Sequence, residues 1–325
     1  RNYMTDLLIK NCLLLENKDS QDILIKGGII KDIASKITAD NIPIIDADFN
    51  FVTPPFVDSH FHMDATLSYG LPRVNKSGTL LEGIKLWGEL KPNLTADAIK
   101  ERALKFCKWA IARGTLAIRS HVDVSGQNLV GVEALLDVRE TMKDFIDIQL
   151  VAFPQDGLLR ANCLDNLNTA LDMGVDVVGG IPHFERTTED GHESIRMLCE
   201  IAEKRGLLTD LHCDETDDPM SRHVEKLALE TTRLGLKGRV AGSHLTSMHS
   251  IDNYYFTKLI SLLVEADLNI IANPLINITI QGRQDNYPKR RGLTRIPEQL
   301  NAGLKVAFGH DCVMDPWYPL GSHDM

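Results

Sequence analysis

The chain has 325 residues, a formal net charge of −10, and 43% hydrophobic against 25% charged residues. That balance suits one large globular domain with a small appendage, and it lacks the basic footprint that nucleic acid or an anionic membrane requires. No segment approaches the ~18 consecutive apolar residues of a membrane span, and the opening RNYMTDLLIKNCLLL lacks the basic-then-apolar order of a secretory signal.

Residues 5–50 read as short alternating strands, DLLIKNCLLL, DILIKGGIIKDIA and NIPIIDADFNFVTP, with Gly27-Gly28 as a hairpin turn between two apolar runs. We assign residues 1–51 to a small N-terminal β unit, too short to bury a core alone. From residue 52 the pattern changes to β-branched runs, each followed by a helical stretch. The strand candidates are FVDSHFH (56–62), LAIRSHVDV (116–124), IQLVAFP (148–154), VDVVGGIP (175–182), LLTDLHC (207–213), RVAGSHL (239–245), LNIIANP (268–274) and LKVAFGH (304–310). Between them lie amphipathic stretches such as ADAIKERALKFCKWAIARG and HESIRMLCEIAEKRG, each ending in a glycine suited to a helix C-cap.

Eight such βα units over residues 52–325 predict a parallel (β/α)8 barrel of the TIM type. A doubly wound open sheet is the competing architecture, and no GxGxxG turn supports it. The chain opens on Arg1 rather than a methionine and stops 15 residues after the eighth strand candidate. A last helix, and the strands that complete the N-terminal β unit, are therefore expected beyond Met325.

In such a barrel the chemistry stands at the C-terminal ends of the strands. The first strand ends in His60-Phe-His62, and an i, i+2 spacing turns both imidazoles to one side. The fifth ends in His212, the sixth in His244 and the eighth in His310-Asp311. A lone strand histidine is an ordinary core residue, but this set is explained together by metal ligation. The fourth strand ends GGIPHFE and offers no lysine to bridge two ions. One divalent ion on His60, His62, His212 and Asp311 is expected, Zn²⁺ or Fe²⁺ by donor chemistry. Such an ion lowers the pKa of its water to ~7. Glu215, three residues after His212, is placed to pass a proton to a substrate ring nitrogen, as deamination requires. His244 would stabilise the developing tetrahedral centre, and Asp311 would double as ligand and proton relay.

The strings PPFVDSHFHMD, SGTLLEGI, RSHVDVS, QLVAFPQDG, DVVGGIPHFE, HCDE, SHLTSMHS, ANPLINI, QGRQDNYPKRRG and DPWYPLG resemble bacterial cytosine deaminase of the amidohydrolase superfamily. The resemblance runs from about residue 50 to the end, and more weakly through the β unit. It implies His60, His62, His212 and Asp311 as metal ligands, and Glu215 and His244 as proton-transfer and water-orienting residues. It implies that Gln155 reads the ring's carbonyl and nitrogen, and that Leu80 and Trp317 wall the ring. It further implies iron or zinc, a homo-oligomer, and a β-sandwich to which residues 1–51 contribute. One departure matters: where cytosine-specific members carry GHDD, this chain has Gly309-His310-Asp311-Cys312. A neutral thiol in place of a charged acceptor should alter which exocyclic groups are tolerated, so isocytosine or another aminated ring becomes credible beside cytosine.

Among other residues, His121 and His183 end strands two and four and could either line the pocket or bond within the core. Asp123 reads as a barrel-bottom or loop contact, Lys289-Arg290-Arg291 as a solvated or salt-bridging face, and Cys213 as core. The six cysteines lack any CxxC spacing, which suggests free thiols in a reducing compartment and a cytoplasmic enzyme. It also excludes the other zinc deaminase fold, whose signature needs that pair. A ring-opening cyclic amidohydrolase is the nearest rival, and it would want the bridging lysine. An inactive scaffold barrel is the rival of a different class, and it would be expected to have lost ligands.

Overall fold

The structure, a computed structural model, describes residues 6–325, so the first five residues of the N-terminal β unit lie outside the described residues. The chain divides into two compact units, one ending at Pro55 and one spanning Phe56–Met325.

The first unit is a four-stranded sheet of β1 (Leu7–Cys12), β2 (Gln21–Lys26), β3 (Ile29–Ala34) and β4 (Ile44–Asp46), in the order β3-β2-β1-β4. The β2–β3 hairpin turns on Gly27 and Gly28, both at positive φ (58° and 74°), as a tight primed turn demands. Leu8, Cys12, Ile23 and Ile37 are buried, while Ile29, Ile30, Ile33, Ile44 and Ile45 remain exposed.

The second unit carries eight parallel strands: β5 (Phe56–Phe61), β6 (Thr115–Asp123), β7 (Asp147–Phe153), β8 (Val177–Gly180), β9 (Leu208–Cys213), β10 (Val240–His244), β11 (Asn269–Ala272) and β12 (Lys305–Phe308). They are hydrogen-bonded in chain order, and the expected (β/α)8 barrel is what the chain forms. Closure comes just past β12, where Asp311 N–H donates to His60 O at 2.8 Å and His62 N–H donates to Asp311 O at 2.9 Å. The long first connection holds α1 (Leu80–Leu90) and α2 (Ala96–Ala112); the others supply α3 (Val130–Met142), α4 (Cys163–Asp172), α5 (Thr188–Arg205), α6 (His223–Arg233), α7 (Asn253–Glu265), α8 (Pro274–Ile280) and α9 (Ile296–Asn301).

Local chemistry sets these helices. In α5, Thr187 accepts from Asp190 N–H, acids occupy the first turn, Lys204 and Arg205 the last, and Gly206 ends it at φ 69°. Strand alternation sorts the side chains. Phe61 faces outward and stacks on Phe106 of α2 with ring centroids 4.1 Å apart, while its neighbours His60 and His62 face inward. Leu211 and Cys213 likewise join the apolar layer between strands and helices, leaving His212 inside. Each fully buried aliphatic side chain in that layer contributes ~2 kcal/mol of transfer free energy. No helix among the described residues is long and apolar enough to cross a membrane.

Candidate active site

The inward side chains at the strand ends meet. His60, His62, His212 and Asp311 are buried, and one ligand atom from each lies within 4.8 Å of all the others. His62 Nε2 is 2.9 Å from His212 Nε2, and Asp311 Oδ1 is 3.0 Å from His60 Nε2 and 3.3 Å from His62 Nε2. Burial and the neighbouring imidazoles hold His212 far below the usual histidine range, so its ring is neutral with a lone pair to give. Neither His60 Nε2 nor Asp311 Oδ1 has a hydrogen-bond partner. Buried polar atoms left so are costly, and three imidazole nitrogens with one carboxylate oxygen are a donor set that a divalent cation satisfies. The residues fit a metal ion.

Two of these positions require unusual backbone. Asp311 sits at φ 66°, a left-handed conformation that Asp tolerates better than most residues and that costs ~1–3 kcal/mol. His244 follows Ser243, which faces inward, so alternation alone would send His244 out. Its φ of 73° turns the imidazole back, and the ring centroid lies 4.8 Å from His60 and 4.9 Å from His212. Gly309 is fixed by crowding: a Cβ there would lie 2.6 Å from His60 Cβ and 2.5 Å from Asn273 Oδ1.

Glu215 lies beside this cluster, with Oε1 3.2 Å from His244 Nδ1, and groups with His244 and Asp311. Burial, and then the Asp311 charge, push its carboxyl well above the usual range. His62, His212, Glu215 and Asp311 share a small cavity with Leu80, Gln155, Cys312 and Trp317. Ile181, Ile276 and Ile280 complete the wall. The space is about 20 Å³, so the pocket is closed down to roughly one water. A larger cavity of about 640 Å³ opens at the opposite end of the strands, beside Arg119, Gln149 and Lys305, and none of the clustered ligand-type residues faces it.

Every residue singled out in the sequence for the site is therefore placed at this mouth. His121 is also inside, with its centroid 4.1 Å from His60, but it does not line the pocket; neither nitrogen has a hydrogen-bond partner, and Nε2 lies 3.9 Å from Asp210 Oδ1. His183 is outside the pocket, and its two ring nitrogens also lack partners. Asp123 is not at the barrel bottom: it ends β6, accepts from Trp87 Nε1 at 2.7 Å and pairs with Lys91 at 3.1 Å. Arg290 of the basic run pairs with Asp285 of the same chain at 2.7 Å. All six cysteines are free and buried.

Sequence reasoning missed Asn277, whose Nδ2 lies 3.1 Å from His244 Nδ1 and 3.5 Å from Glu215 Oε1. Its signal was the Asn273–Asn277 spacing in ANPLINI, one helical turn that puts both amides on one face. It also missed Ser243 and Asp210, which stand in line behind His60.

The amidohydrolase family model matches residues 43–325. The 5-methylcytosine deaminase of Klebsiella pneumoniae, solved with 5-fluorocytosine, superposes with a TM-score of 0.94 at 43% identity, covering 97% of this chain and 77% of that one. The N-isopropylammelide isopropyl amidohydrolase of Pseudomonas sp. (strain ADP) is 30% identical over 98% of this chain and 77% of its own length. The pterin deaminase of Rhizobium rhizogenes is 30% identical over 93% of this chain and 70% of its length. The barrel, the site at its mouth and these likenesses agree: the chain belongs to the amidohydrolase family, as an aminohydrolase of the cytosine deaminase-like kind.

Proposed function

We propose that this enzyme hydrolytically deaminates a cytosine-type ring that carries a small substituent at position 5, releasing ammonia. The observation that carries the reading is a buried Glu215 in one pocket with the clustered metal-ligand residues, Gln155 and Cys312. His60, His62, His212 and Asp311 would hold one Fe²⁺ or Zn²⁺, which when bound lowers the pKa of water to ~7 and so supplies the nucleophile at neutral pH. Glu215 delivers its proton to the ring nitrogen next to the amine-bearing carbon, which turns that carbon electrophilic; its carboxylate then takes the proton of the hydroxyl added there and passes it to the amine, which leaves as ammonia. His244, steadied by Asn277, stabilises the oxygen arriving at that carbon. Gln155 presents an acceptor and a donor in one plane to the ring's carbonyl and nitrogen edge. Leu80 and Trp317 wall the ring and must part to admit it. We place the enzyme in the cytoplasm, where buried free thiols persist, and expect a homo-oligomer.

Cys312 supports the 5-substituted substrate. It is 3% exposed, its thiol lies 3.5 Å from Asp311 Oδ2, and burial keeps it protonated. A neutral sulfur can pack against a methyl group, whereas a carboxylate there would have to be desolvated against it. The neighbour named for 5-methylcytosine, at 43% identity, points the same way. The test is ammonia release by iron- or zinc-loaded enzyme from cytosine, 5-methylcytosine, isocytosine, pterin and aminated triazines. The expected result is highest kcat/KM on 5-methylcytosine, and a Cys312→Asp variant that loses ~10-fold on it relative to cytosine. An unchanged ratio rejects the role of Cys312. Release from isocytosine or a triazine alone rejects the substrate.

A further inference from the structure

His60 differs from His212 in what lies behind it. Its Nδ1 is 3.0 Å from Ser243 Oγ, whereas the Nδ1 of His212 is buried with no partner. Ser243 is wholly buried and in register with His212 on the neighbouring strand, which aims it into the barrel. Its hydroxyl donates to Asp210 Oδ1 at 2.6 Å. Asp210, also wholly buried, sits two residues before His212 on β9 and shares its inward face. The other oxygen of Asp210 accepts from Arg119 Nη1 at 3.0 Å, and Arg119 Nε donates to Gln149 Oε1 at 2.8 Å.

The proton count along this chain has one solution. A hydroxyl has a single hydrogen, and both oxygens of Asp210 are in use as acceptors, one from Ser243 and one from Arg119. Ser243 gives that hydrogen to Asp210, so toward His60 it can only accept. His60 Nδ1 must therefore carry a proton, which leaves Nε2, at the cluster, with its lone pair bare. We infer that Ser243 and Asp210 are positioning residues that lock His60 into its metal-binding tautomer through a serine inserted between carboxylate and imidazole. The inference rests on the metal reading above. Polar partners behind a ligating histidine raise its basicity and fix its ring, and their loss typically costs ~10–100-fold in metal affinity.

The arrangement also gives a sign to each substitution. Ser243→Ala removes the acceptor and frees His60 Nδ1 to take either tautomer. Asp210→Asn offers the serine an amide that can donate as well as accept, so the serine can turn its hydrogen on His60. Because both act through one chain, their effects must fail to add.

The test measures Zn²⁺ affinity of the metal-free protein by chelator competition, with the d–d spectrum of the Co²⁺ form as a second readout. Wild type, Ser243→Ala, Asp210→Asn and the double variant are compared, each with its thermal unfolding. Expected are a 10–100-fold weaker Kd for each single variant, a double variant no worse than Ser243→Ala, and an altered Co²⁺ spectrum in all three. Wild-type affinity in Ser243→Ala, or losses that multiply in the double variant, overturns the lock. A wild type that binds no ion instead overturns the metal reading on which it rests. If a variant unfolds, Ser243→Thr, which keeps the hydroxyl, decides: retained affinity supports the lock and lost affinity overturns it.

Discussion

Two layers of the same barrel obey opposite rules. Between strands and helices, buried side chains are almost all apolar: Phe61 on Phe106, with Leu135, Leu150, Leu167 and Leu198 fully enclosed. At the inner mouth, buried groups are histidines and carboxylates, several lacking partners, on backbone that includes left-handed Asp311 and His244. The outer layer stabilises a scaffold rigid enough to hold the inner one in an arrangement unfavourable on its own account. Substitutions in the two layers should then separate chemistry from stability.

The sharpest separation is at Glu215. Glu215→Gln keeps the shape and the hydrogen-bonding capacity but has no proton to move, so kcat should fall ~10³-fold. Steady-state ammonia release measures it, while the unfolding temperature should hold or rise. A loss of stability with unchanged kcat would put Glu215 in the wrong layer. Next is Leu198 on α5, whose methyl fills the notch left by Gly180: a Cβ on that glycine would come within 2.3 Å of Leu198 Cδ1. Leu198→Ala should cost about 2–5 kcal/mol in urea unfolding and leave kcat/KM of the folded enzyme unchanged. A comparable fall in kcat/KM would mean that the layers are not independent.

The smallest effect concerns His183, which lies outside the pocket. Burial, only partly opposed by Asp214, takes its pKa from 6.5 down to about 4. Folded His183 stays neutral while the unfolded chain takes up a proton below 6.5, so its contribution is complete above 6.5 and drains away as pH falls toward 4. Metal-free His183→Leu protein should therefore lose less stability than wild type between those two values in denaturant titrations. Parallel curves would remove His183 from the acid response.

The barrel was legible because short apolar runs, many of them β-branched, alternate with helical stretches, some of which carry their own caps, as at Thr187 and Gly206; such signals are local. Four clustered residues were legible because they stand where strands end. Ser243 and Asp210 were not, since a serine within SHLTSMHS and an aspartate within LLTDLHC look ordinary. Their meaning depends on β5, 183 residues away from Ser243, closing against β10's face of the barrel. Of the two readings of Asp123, the loop contact holds and the barrel-bottom one does not: its partners Trp87 and Lys91 come from the long first connection, whose path no periodicity predicts. Nor could alternation have foreseen His244, because one left-handed residue reverses its direction.

For anyone redesigning this enzyme to accept larger rings, Gly309 draws the boundary of the search. Leu80, Ile276 and Ile280 are side chains and can be traded for smaller ones. Position 309 has nothing to give up, and even one added carbon would press on both His60 and Asn273. A mutational library that spares this glycine spends its diversity on specificity; one that includes it mostly samples chains in which His60 has been pushed out of the cluster.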